Sequence, residues 1–153
     1  MKEKFCTYLK NVNASAATQT KVEQLYNEIL LLYNNINIDD IFITNVINNG
    51  SVEWLSLWFF NESFAIECKN FLSQNEDYDI APLNNRIIYY NIKKGNYKLD
   101  DEPNQNSYIN ITILINNGRS SCNLIATGKN CLYAKNLSQK YFLKKLDASL
   151  YSE

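Results

Sequence analysis

The chain has 153 residues, 46% of them hydrophobic and 20% charged, with a formal net charge of −1. That length suits one domain with a real core, and the charge balance lacks the basic surplus of a phosphate-contacting nucleic-acid binder. No apolar run approaches the ~20 residues of a membrane span, and the lysine-containing start "MKEKFCTYLKNVNASAATQT" lacks the apolar centre of a signal peptide, so the expected location is cytoplasmic.

Residues 1–17 show weak periodicity and are expected as a flexible or weakly structured arm, or a short helix that docks late. Residues 18–153 are expected as a single domain that opens on a helix. Val22, Leu25, Tyr26, Ile29, Leu32, Tyr33 and Ile36 recur at three- and four-residue spacing, the signature of an amphipathic helix. Leu30 and Leu31 widen its stripe, and the asparagines of "NNIN" compete for the backbone and end it.

Strand signals follow. "DDIFITNVI" runs into Asn49-Gly50, the dipeptide of a type I′ turn, and then into "SVEWLSLWFF". Trp54, Trp58, Phe59 and Phe60 crowd that strand, and apolar residues on both faces predict a central, buried position. "NES" is a tight connection to "FAIECKNF", while "LSQNEDYD" reads as a polar loop before "IAPLNNRIIYYNI". In "SYINITILI" the residues Ile109, Ile111, Ile113 and Ile115 share one face. Asn117-Gly118 makes a second hairpin turn, after which Cys122, Leu124 and Ala126 line one face of the last strand. Gly128 suits an unusual backbone angle at the corner, and Asn130 is the expected N-cap of a closing helix. The expected fold class is α+β: a mainly antiparallel β roll or partly open barrel of about seven strands, with an N-terminal amphipathic helix and a C-terminal capping helix.

The chemistry is narrowed by what is absent. With no histidine, Ser-His-Asp and Cys-His catalysis and His-ligated metals are excluded. Cys6, Cys68, Cys122 and Cys131 form no paired motif and read as buried free thiols. Cys131 alone, at the start of a helix, offers a thiol whose pKa the helix dipole lowers. Gly128-Lys129 lacks the upstream glycine and following Ser or Thr of a phosphate loop. Asp39-Asp40, Glu76 with Asp77 and Asp79, and Asp100 to Glu102 read as solvated acidic turns. No catalytic, cofactor or metal residue is assigned, and a non-enzyme is expected.

The run from about Ile38 to Leu146 resembles the pleckstrin-homology-like group (PH and GRAM). The pieces that carry the likeness are "APLNNRIIYYNI", similar to that group's strand entry, and "SYINITILINNGRSSCNLIATGKN", similar to its last hairpin and step into the helix. The resemblance implies a seven-strand scaffold with a capping helix that often serves as a docking module. It argues against phosphoinositide binding, because the first hairpin loop, "NNGSV", carries no Lys or Arg. The tryptophan common in the family's closing helix is also missing, and Ala134, Leu137 and Tyr141 stand on that face.

At 100° per residue, Tyr133, Ala134, Leu137 and Tyr141 fall on one side of the last helix, expected to cap the sheet. Leu132, Phe142, Leu143, Leu146 and Leu150 fall opposite, covered either by the N-terminal helix or by a protein partner or second copy. The expected function is a non-catalytic protein-binding module without nucleic-acid or membrane partners, docking through this face or through open sheet edges. The alternatives are a small-ligand receptor using the barrel mouth, or a chaperone or immunity-type partner of a larger effector.

Overall fold

The computed structural model describes residues 1–83, 86–115 and 120–145. Helix α1 (Glu3–Asn11) and helix α2 (Ala16–Leu32) precede seven strands: β1 (Asp40–Asn48), β2 (Ser51–Phe60), β3 (Phe64–Lys69), β4 (Asp77–Pro82), β5 (Ile87–Gly95), β6 (Tyr108–Ile115) and β7 (Ser120–Thr127). Helix α3 (Asn130–Ser138) follows and runs into a π-helical turn, Gln139–Leu143. The strands form two antiparallel sheets, ordered β1-β2-β3-β4 and β5-β6-β7, not closed into a barrel. The α+β class and the seven strands match the sequence expectation.

Local chemistry explains most boundaries. Ser15 caps α2 by accepting from the Thr18 N–H at 3.1 Å. Asn34 and Asn35 have φ of 52° and 57°, the left-handed conformation that stops the helix. Asn49 (φ 52°) and Gly50 (φ 78°) make the first hairpin turn, as their dipeptide predicts. The second expected turn, Asn117-Gly118, lies outside the described residues. β2 is an interior strand with Leu57, Trp58, Phe59 and Phe60 all buried. Ile109, Ile111, Ile113 and Ile115 are buried together with Cys122, Leu124 and Ala126.

Other expectations are refined or changed. The segment 1–17, read as a flexible or weakly structured arm or a short docking helix, contains the helix α1, whose Phe5, Tyr8 and Leu9 join the core. In α2 the buried stripe is narrow (Val22, Leu25, Tyr26, Ile29), and Leu31 is 83% exposed. The polar stretch read as a loop before "IAPL" supplies the start of β4, and β4 and β5 belong to different sheets. Asp40, expected in a solvated turn, anchors the start of β1: its Oδ2 accepts from the Tyr141 hydroxyl at 2.5 Å and from Lys140 Nζ at 2.7 Å.

The π turn decides where the last helix puts its side chains. Its i→i+5 repeat brings Phe142 back toward the side occupied by Leu137, which uniform 100° steps place elsewhere. Phe142 is 0% exposed and meets Phe60 edge-on, while Tyr141 stacks on the same ring at 5.1 Å. Phe142 therefore belongs to the core and not to a partner surface.

Candidate functional site

Of the five residues proposed for a partner face, Phe142 is buried, Leu132 and Leu143 are half-buried, and Leu146 and Leu150 lie outside the described residues. What flanks α3 on its exposed side is α1: Tyr8 packs edge-on against Tyr133 at 4.6 Å, and Asn11 Nδ2 donates to the Tyr133 hydroxyl. Helix α2 lies elsewhere, tied to the β3–β4 connection by the Lys21–Glu76 ion pair at 2.7 Å.

Side chains pair the backbone of β1 at Ile43. The Tyr8 hydroxyl accepts from the Ile43 N–H at 2.9 Å and donates to Asn130 Oδ1 at 2.8 Å. Asn130 Nδ2 donates to the Ile43 carbonyl at 2.7 Å and to Asn45 Oδ1 at 3.0 Å, and the Thr127 N–H donates to the same Oδ1 at 2.9 Å. Asn130 is thus not the cap of α3, which is Lys129. Its side chain instead joins α1, β1 and the β7–α3 corner. Burial raises the Tyr8 pKa well above the usual phenol value.

Next to this node the β1–β2 register slips between Ile43 and Asn45, with Leu55 and Ser56 both facing Thr44. The Thr44 hydroxyl fills the gap by accepting from the Ser56 N–H at 2.9 Å. Cross-strand partners share a face, so the extra residue pairs Trp54 with Asn45 and Val52 with Ile47. These four side chains, with Pro103 and Lys129, line an open cleft of about 350 Å³. A second cleft of about 340 Å³ lies where Glu67, Lys69 and Asp79 meet Ser120 and Ser121. Lys69 and Asp79 pair there at 2.7 Å, so its charge is largely balanced internally. Burial raises the Glu67 pKa.

The third feature is an edge. Among the described residues β5 ends its sheet and no ladder joins it to β4, and a bulge at Ile88 breaks its pairing with β6. Ile88, Tyr89 and Ile92 are 46%, 49% and 45% exposed along it, followed by exposed Lys93 and Lys94. The sequence places a strand in "IAPLNNRIIYYNI" but does not identify which strand stands at an edge.

Cys131 does not present an activated thiol. It is buried, its Sγ donates to the Ala126 carbonyl at 3.4 Å, and burial pushes its pKa up to about 12. Among the described residues no cluster of three or more His, Cys, Asp or Glu side chains has the arrangement of a metal site, and no helix is long and apolar enough to cross a membrane. Compared with known proteins, the chain matches no protein-family model, no curated sequence and no solved structure.

Proposed function

We propose that the protein is a non-catalytic protein-binding module and that its docking surface is the free edge of β5. The observation that carries this reading is the exposure of Ile88, Tyr89 and Ile92, each close to half exposed on a strand that has, among the described residues, no neighbour on one side. An unpaired edge offers main-chain donors and acceptors to an incoming extended segment, and flanking side chains select it. Lys93 and Lys94 make an acidic extended segment the fitting partner. The order of seven antiparallel strands followed by a helix is also the order that the pleckstrin-homology-like resemblance implies, which supports a docking role by analogy of fold.

The experiment is hydrogen exchange on the intact chain with short extended peptides alternating Val and Glu, against counterparts alternating Val and Lys. Protection of β5 amides by the Val-Glu peptides alone, lost in Tyr89→Lys with Ile92→Lys, is the expected result. If β5 amides exchange equally with and without every peptide, the edge is not a docking surface.

A further inference from the structure

We propose that the cleft beside Trp54 is a second, separate binding site, and that its ligand is a small aromatic carboxylate. The argument starts at Asn45, which is only 3% exposed. Its Oδ1 accepts from both the Thr127 N–H and Asn130 Nδ2, so the side chain cannot be turned end for end without putting donor against donor. The two hydrogens of its Nδ2 are therefore left over, with no acceptor among the described residues, on a side chain that lines the cleft. An amide donor that opens onto the cleft is ready to be paired by an acceptor supplied from it.

The surroundings select the acceptor. No carboxylate is among the described residues lining the cleft, and Lys129 is at its rim. Helix α3 begins there at Asn130, so the positive end of its dipole adds to the lysine charge. These features favour an anionic oxygen over a neutral one. The apolar part of the wall favours a flat apolar body: Trp54 lines it with Ile47 and Val52, both about half exposed, while Asn13, Asn104 and Gln105 make up a polar part. A bare phosphate or acetate leaves these walls wet, while an uncharged ring leaves Asn45 and Lys129 unused. A cleft of about 350 Å³ is within the usual range for small-ligand sites.

The site exists because of the slip opposite Thr44. Without the extra residue, Trp54 and Val52 point to the other face of β2, and Asn45 loses both walls.

The test is a titration of the isotope-labelled full chain, followed by the Asn45 side-chain amide and the Trp54 indole resonances. Three probes separate the contributions: indole-3-acetate carries ring and carboxylate, indole-3-ethanol the ring alone, and acetate the carboxylate alone. Indole-3-acetate is expected to move both resonances saturably, with each partial probe weaker by about tenfold or more. Lys129→Gln is expected to weaken indole-3-acetate several-fold, and Val52→Glu to abolish its binding. Both positions are exposed, so neither variant depends on the buried node for folding. Equal affinity for indole-3-acetate and indole-3-ethanol overturns the carboxylate assignment. No saturable movement of either resonance with any probe at millimolar concentration overturns the site.

Discussion

The Tyr8 hydroxyl donates to Asn130 Oδ1 at 2.8 Å, joining the first helix to the start of the last across 122 positions of sequence. The same hydroxyl accepts from the Ile43 N–H, so one oxygen serves α1, β1 and α3. Tyr8→Phe keeps the ring that packs on Phe42 and Tyr133 but leaves a buried N–H and a buried carbonyl oxygen short of a partner. Each such orphan costs about 1–3 kcal/mol, so the variant is expected to lose about 2–4 kcal/mol in urea unfolding. A loss under about 1 kcal/mol means that the node does not anchor α1.

How far the sequence foretold this arrangement varies with the range of the signal. Ile109 to Ile115 and the Asn49-Gly50 turn were legible because a two-residue period and a positive-φ dipeptide are local facts. The spacing Phe5, Tyr8, Leu9, Val12 is also a helical stripe, but it is one turn-pair long and set among polar residues, so it read as an arm. Asn130 was legible as a polar residue at a helix start. Its actual partners lie 85, 87 and 122 positions away, and no local rule names them. The β2 slip and the π turn were invisible for a related reason. Each changes the period by one residue, and tertiary packing decides whether that happens.

Phe142 supplies the sharpest contrast between the two readings of the last helix. Counted at uniform helical steps it lies opposite the side that caps the sheet, whereas the π turn seats it against Phe60. Phe142→Ala is expected to cost about 3–5 kcal/mol, the usual price of a large buried cavity. Leu143→Ala, at a half-buried position, is expected to cost less than about 2 kcal/mol. Comparable losses for the two variants in chemical unfolding contradict the π-turn placement.

Asp40 makes stability depend on pH in a definite direction. Burial alone raises its pKa, but the hydrogen bonds from Lys140 and Tyr141, with the Lys140 and Lys4 charges, outweigh burial and hold it below the ordinary value. A carboxyl with a depressed folded-state pKa contributes its stabilisation in full above the unfolded-state value, about 3.9, and loses it as pH falls through the folded value. Asp40→Asn is therefore expected to be less stable than wild type at neutral pH, with the gap narrowing below about pH 4. Urea midpoints of both proteins from neutral pH into the acid range check this. A gap independent of pH removes the charge from the account and leaves only the hydrogen-bond geometry.

The thiols give a prediction that needs no substitution. Cys68, Cys122 and Cys131 are buried and only Cys6 is partly exposed. Burial raises the pKa of all three buried thiols, that of Cys68 to about 11 and that of Cys131 to about 12. The thiolate is the reacting species, so near pH 8 the folded protein is expected to release colour from Ellman's reagent for Cys6 alone. The other three are expected to react only after denaturant is added. Mass mapping of alkylated peptides identifies which cysteine reacts first. Cys131 labelling as fast as Cys6 in the folded state contradicts the buried placement of its thiol at the start of α3.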